Sequence, residues 1–226
     1  MSTPLAITRI ALSCALGDAP MQVWDRAQAG DNGLSEHPPL KPLPSARAGV
    51  VPAIHFRPWL KRRKDAKLMT RSARLALGAA GRAMDGWTGD RDALGLFFGV
   101  GREPPDEGEA EAALAAAASE GMLDVSKLAG RGRDLYPPLL PLKTLPNMVL
   151  AHISIHLQIC GENGAWAGEA EAASRAALEG AYAVAEGRAP AALVGAADSL
   201  IDLGSARDRL RMGRSGPPGE AAAAML

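Results

Sequence analysis

The stretch from Leu145 to Asp198 constrains this chain most, because it switches element type three times without a long break. A helix reads from Pro146, a short strand spans Gly164 to Gly168, an alanine-rich helix runs to Gly187, and an apolar strand covers Ala191 to Ala196. Helices alternating with apolar strands point to an α/β core. The turn between the first strand and the long helix falls at Gly168-Glu169-Ala170. Unpaired N–H groups and the helix dipole favour negative charge at such a turn, so it is a natural seat for a nucleophile. No Ser, Cys or Thr stands there.

With 226 residues, 47% of them hydrophobic, the chain is large enough to bury a core as one domain. Its 25 basic and 25 acidic residues cancel, which argues against nucleic acid or an anionic membrane as partner. Aromatic residues are 4%, while alanine and glycine abound, a composition suited to close packing of helices on a sheet. Cys14 and Cys160 stand far apart with no CxxC or Cys/His ligand spacing, so neither a disulfide framework nor a zinc site is indicated. The N-terminus lacks the pattern of a secretory signal, and no apolar run approaches a membrane span. The expectation is a cytoplasmic protein with no membrane span.

Taken in order, Leu5 to Leu16 reads as a first strand ending at Gly17-Asp18, and Pro20 to Ala29 as a helix stopped by Gly30. Prolines 38, 39, 42, 44, 52 and 58 mark the segment from about 37 to 58 as a surface loop, with a proline-rich ligand as the second reading. Lys61, Arg62, Arg63 and Lys64 read as a solvated helix start, or as a surface for an acidic partner such as a carrier protein. Apolar residues at 69, 73, 76, 77, 80 and 84 mark one face of a helix over Leu68 to Met84. Ala93 to Val100 is a continuous apolar run, suited to a strand covered on both faces. Gly99 and Gly101 have nothing further of a phosphate-binding loop around them, and no cofactor is expected. An amphipathic helix with its lead-in is expected within Glu103 to Leu123, a turn at Gly130 to Arg133, an extended apolar approach over Tyr136 to Leu142, and a short variable stretch over Leu200 to Met212 before a Gly/Pro break at 213 to 218.

These residues carry a family resemblance. Pro146-Asn147-Met148, then Gly161-Glu162-Asn163, then the long helix, then Val194 to Ser199 resemble the nucleophile region of β-ketoacyl synthases. That family shows PNM, then GPN or GPS, a TACxSG turn, and a strand ending in AGGAE. The ending from Gly219 to Leu226 resembles the family's GEGAAxLVL, and Ala15-Leu16-Gly17 and Ala29 to Gly33 occupy the places of its opening turn and post-helix motif. The likeness spans nearly the whole chain but only the first of the two similar halves of a synthase. It implies a thiolase-like half over 1–226, with α/β class, three α/β/α layers and a mixed sheet of about five strands.

Aligned without a gap from Gly161 to Asp198, the family's catalytic cysteine falls on Ala170, and TACxSG is replaced by GEAEAA. An alanine methyl supplies no nucleophile, and Glu169 and Glu171 would oppose a thiolate placed between them. The family's histidines and lysine come from its second half. The resemblance therefore implies a non-catalytic partner, similar to a chain length factor, that pairs with itself or with an active β-ketoacyl synthase and can meet an acyl carrier protein in fatty-acid or polyketide biosynthesis. The alternative is the first half of a split synthase completed by another polypeptide. Gly164, Ala165, Trp166, Ala167 and Gly168 lie where synthase subunits pair, although Trp166 is equally suited to the local core. Tyr136, Leu139, Leu140, Leu142 and Met148 are pocket-lining candidates by the same resemblance.

Two further pairs have chemistry of their own. His152 and His156 lie four apart on one helix face, a spacing a metal ion can use, but Ile153 stands where an HExxH base would and no third ligand is evident. Ordinary surface or pocket histidines are the simpler reading, and no metal is expected. Cys160 follows His156 by four residues, so a relocated Cys/His pair competes with a small buried apolar side chain.

Overall fold

The computed structural model describes residues 4–105, 108–168 and 170–226, and at Ala170 the backbone only. Strand β1 is Ile10–Ser13. It begins later than Leu5 because its partner runs out: Ile10 pairs with Met225 and Ser13 with Ala222, and before Ile10 only Thr8 and Arg9 reach the Leu226 carbonyl. Helix α1 (Pro20–Gln28) opens on proline, whose missing N–H has no helical acceptor to lose.

The proline-rich segment is more ordered than a surface loop. Leu34–Glu36 (β2) pairs antiparallel with Arg47–Gly49 (β3), and 3-10 turns form at Pro38–Leu40 and Arg57–Trp59. Proline at the first turn of each suits a fixed φ, and Leu40 and Ala48 are buried against Ile201 and Ala206. The segment ends as a cover over helix α2 (Arg71–Ala83), where a Cβ on Gly81 would meet the Trp59 ring 2.2 Å away. For that reason α2, expected to hide one face, is buried on nearly every side. Its N-cap is Thr70, whose hydroxyl accepts from the Ala73 N–H at 3.2 Å.

Strand β4 (Gly95–Val100) is buried at all six positions. Helix α3 occupies only Glu111–Ala117 of the helix expected across 103–123. The chain then doubles back through β5 (Ala118–Ser119) and β6 (Met122–Leu123), with Glu120 at φ 51° and Gly121 at φ 78° making a turn a helix cannot contain. Short helices α4 (Val125–Lys127), α5 (Arg133–Leu135) and α6 (Leu140–Lys143) follow. The approach over Tyr136 to Leu142 is thus extended only in part, becoming helical where Pro141 can open α6. Then come α7 (Asn147–Leu157), β7 (Asn163–Ala167), α8 (Ala170–Ala185) and β8 (Ala192–Ser199). The variable stretch over 200–212 holds α9 (Leu203–Arg211), capped by Asp202, whose carboxylate accepts from the Ser205 N–H at 2.8 Å. Strand β9 (Glu220–Met225) ends the fold.

The sheet is mixed and five-stranded, in the order β1-β9-β8-β4-β7. β4 runs parallel to β7 and β8, while β9 is antiparallel to β8 and β1. Alternation along β4 builds three layers. Leu96, Phe98 and Val100 join the core beneath α2 and α7, whereas Phe97 points the other way into a smaller core with Ala176 and Ala183 of α8. α8 approaches so closely that a Cβ on Gly99 would lie 2.6 Å from the Ala172 carbonyl carbon. Among the described residues no helix is long and apolar enough to cross a membrane.

Candidate functional site

The carboxyl ends of β4, β7 and β8 open on a cavity of about 590 Å³, the place where parallel α/β sheets present ligand sites. Gly101, Arg102, Ala167, Gly168 and Asp198 enter it from the strand ends, Pro146 from the start of α7, and Ser205, Asp208, Arg209, Met212 and Arg214 from α9 and its exit. Glycine at 101 is a matter of space, since a Cβ there would lie 2.0 Å from the Asp198 carboxyl carbon. Arg102 Nη1 donates to Asp208 Oδ2 at 2.5 Å, and this hydrogen bond holds the Asp208 carboxyl below its ordinary range.

Next along the chain from Arg102, Glu103 is 8% exposed. Thr70 donates its hydroxyl to Glu103 Oε2, while Oε1 has no partner among the described residues. Burial pushes this carboxyl up to about 7, opposed by the hydroxyls of Thr70 and Ser72 and aided by the Asp198 charge. Glu220 is the opposite case. Its buried carboxylate receives Arg71 Nε at 2.5 Å, Arg71 Nη2 at 2.6 Å, the Val51 N–H at 2.9 Å and the Ser199 hydroxyl at 2.9 Å. Neither role is legible locally; the signal for Glu220 was an acidic residue opening an apolar strand, and Glu103 offered none.

Ala170 is the first residue of α8, the helix that follows strand β7. Glu169, expected to flank it, lies outside the described residues, as does the Ala170 side chain; Glu171 is exposed. Gly164, Ala165, Trp166 and Ala167 belong to β7, the edge of the sheet, and Gly168 follows with its N–H on the Val100 carbonyl. Trp166 is half-buried and packs on Phe97, ring centroids 6.2 Å apart, while Ala165 and Ala167 are exposed. Of the pocket candidates Leu140 is buried, Met148 half-buried, and Tyr136, Leu139 and Leu142 exposed; none lines the cavity at the strand ends.

His152 and His156 are not surface residues, being 5% exposed each beneath the basic segment. Cys160 is exposed rather than buried. It follows a left-handed residue, Gln158 (φ 58°), and its N–H bonds the Arg91 carbonyl, so the chain has left the helix and no Cys/His pair forms. Instead His156 Nδ1 accepts from the Lys61 N–H at 3.3 Å. Among the described residues no group of three His, Cys, Asp or Glu could hold a metal ion.

Solved structures share the fold. The ishigamide ketosynthase/chain length factor is 22% identical with TM-score 0.65, over 97% of this chain and 60% of that one. A ketosynthase, ApeO, in complex with its chain length factor, ApeC, from Xenorhabdus doucetiae is 19% identical with TM-score 0.71, over 97% and 56%. AntDE:AntF, a type II PKS acyl-carrier protein in complex with its ketosynthase, is 11% identical with TM-score 0.71, over 97% and 61%. The chain thus spans between 56% and 61% of the length of these proteins. The model of the β-ketoacyl synthase N-terminal domain matches residues 2–224, and by that match the chain belongs to the β-ketoacyl synthase family.

Proposed function

We propose that this chain is a non-catalytic β-ketoacyl-synthase-like partner, chain-length-factor-like in role, that pairs with an active ketosynthase in polyketide or fatty-acid biosynthesis. One observation carries the reading: the helix that would present the nucleophile begins with Ala170, aligned with the family's cysteine. Condensation needs a thiolate to hold the acyl chain and donors for the developing oxyanion, and a methyl group is neither.

Partnership is supported by surface the chain leaves uncovered. Leu114, Met122, Val125, Leu139, Leu142 and Leu145 are all exposed on the segment from α3 to α7, and apolar patches of more than a few hundred Å² mark interfaces. Strand β7 adds an unpaired edge beside them in sequence. Neighbours named as ketosynthase and chain length factor, or as ketosynthase with its acyl-carrier protein, fit this reading. Exposed Lys61, Arg62, Arg63 and Lys64 suit the acidic surface of such a carrier. We place the protein in the cytoplasm, a reading that two unpaired cysteines favour.

The test is reconstitution with a full-length ketosynthase and its carrier protein. Alone, the chain is expected to remain unacylated by acyl and malonyl carrier thioesters in intact-mass spectrometry; with the ketosynthase, it is expected to co-sediment and alter product length. A covalent acyl adduct at Cys160, or condensation only with a separate histidine-bearing half, would replace this reading.

A further inference from the structure

The segment from Lys61 to Leu68 crosses α7 as a strap, carrying Lys61, Arg62, Arg63, Lys64 and Lys67 outward. It hangs from two histidines one helical turn apart. The rings of His152 and His156 are stacked with centroids 5.9 Å apart and planes 4° from parallel. At one end the Lys61 N–H donates to His156 Nδ1 at 3.3 Å, which requires Nδ1 to be bare and puts the ring proton on Nε2. At the other end His152 Nε2 lies 3.2 Å from the Leu68 carbonyl, which only accepts, so Nε2 carries the proton there.

Other charges face the pair from each side. Asp65 Oδ2 is 4.0 Å from His156 Nε2, beyond hydrogen-bond reach, and is already engaged by Arg62 Nε at 3.1 Å. Lys61 and Arg62 present positive charge from the strap, Asp85 and Arg91 line the cavity of about 390 Å³ that His156 also borders, and Arg74 of α2 donates to the Ala66 carbonyl at 3.3 Å.

We propose that His152 and His156 form a proton-sensitive clasp that holds the basic strap while both rings are neutral and lets it go when they are charged. A proton on His156 Nδ1 turns the acceptor of the Lys61 N–H into a second donor, so that end of the strap loses its bond and meets a like charge. A proton on His152 leaves its bond to Leu68 intact but buries a second cation one turn away. Release starts at Lys61. Burial lowers the pKa of both rings, and for His156 the cations Arg62 and Lys61 lower it further against Asp65. The folded protein therefore prefers the neutral rings; the hold is complete above the ordinary histidine value and is lost as pH falls below it.

Hydrogen exchange of intact protein from about pH 8 to about pH 5.5, corrected for intrinsic rates, tests the clasp. The expected result is protection over 60–69 that falls about ten-fold or more toward the acid end while α8 stays flat. His156→Asn keeps an acceptor near Nδ1 and does not titrate, so its strap is expected to stay protected throughout. A second measurement needs no variant: NMR titration of the ring signals of His152 and His156 is expected to show midpoints below the ordinary value that coincide with the loss of protection. A flat exchange profile in the unmodified protein, loosening unchanged in His156→Asn, or ring midpoints apart from the loosening would each overturn the proposal.

Discussion

Arg71 holds Glu220 through two parallel hydrogen bonds, Nε to Oε2 at 2.5 Å and Nη2 to Oε1 at 2.6 Å, between residues 149 positions apart. The pair fastens the first turn of α2 to the first residue of β9, and the Glu220 side chain is fully buried while the Arg71 side chain is 35% exposed. Removing one partner of a buried ion pair leaves the other uncompensated, which costs about 3–5 kcal/mol. Glu220→Ala is expected near that range, because Arg71, Ser199 and the Val51 N–H all lose their acceptor. Arg71→Ala is expected to cost less, about 2 kcal/mol, since the Val51 N–H and the Ser199 hydroxyl still serve the carboxylate. Urea unfolding of the two variants checks the order, and equal costs would show that the Arg71 fork carries the whole contribution and the Val51 and Ser199 bonds add nothing to it.

Glu103 makes stability depend on pH in the direction opposite to an ordinary ion-paired acid. Its folded pKa of about 7 lies above the ordinary glutamate value of 4.5, so the folded state binds more protons between these values. The favourable contribution is present below 4.5 and is lost as pH rises through 7. Glu103→Gln, neutral at every pH, is expected to gain on the parent protein across that window, by about 3 kcal/mol at most. Denaturation midpoints measured in parallel at acid and slightly alkaline pH decide it, and a constant difference would contradict the buried titration.

Gly99 sets the distance between the sheet and α8. Its Cβ position is 2.6 Å from the Ala172 carbonyl carbon and 2.7 Å from the Ala173 nitrogen, both backbone atoms that cannot swing aside. Gly99→Ala is therefore expected to destabilise by about 1–3 kcal/mol through overpacking. Thermal unfolding measures the loss. An unchanged midpoint would mean that α8 shifts outward at little cost.

If β7 is the contact through which the chain assembles, a charge on its exposed edge should block association without unfolding the monomer. Ala165 is exposed whereas Trp166 leans on Phe97, so Ala165→Lys separates interface from core. The expected result is intact circular dichroism with association with a ketosynthase weakened by roughly 2 kcal/mol or more, read by sedimentation across a concentration series. Trp166→Ala is expected to lose both association and stability. Unaltered binding in Ala165→Lys would remove β7 from the interface.

Much of the architecture was legible because period and turn chemistry are local. The unbroken apolar run before Gly101 announced a strand covered on both faces, and β4 is that strand. The alternation after Pro146 placed α7, β7, α8 and β8 within a few residues. The turn before Ala170 and the absence of a nucleophile there could be read from three letters. Helix α9 was not legible, because its charged surface carries no apolar period and only Ser205 and Ala206 are buried.

What the tertiary structure alone decided are the relationships between segments distant in sequence. Whether His156 meets Cys160 or Lys61 depends on the left-handed turn at Gln158 and on a strap 95 residues earlier. Whether an acid is a shared anchor or a titrating group depends on how many donors the fold brings to it, four bonds for Glu220 and, among the described residues, an oxygen of Glu103 left without a partner. A residue's own neighbours in sequence state which face it prefers to bury. The donors, charges and backbone that wait on that face come from elsewhere in the chain, and burial strengthens whatever pairing, or lack of it, the fold happens to impose.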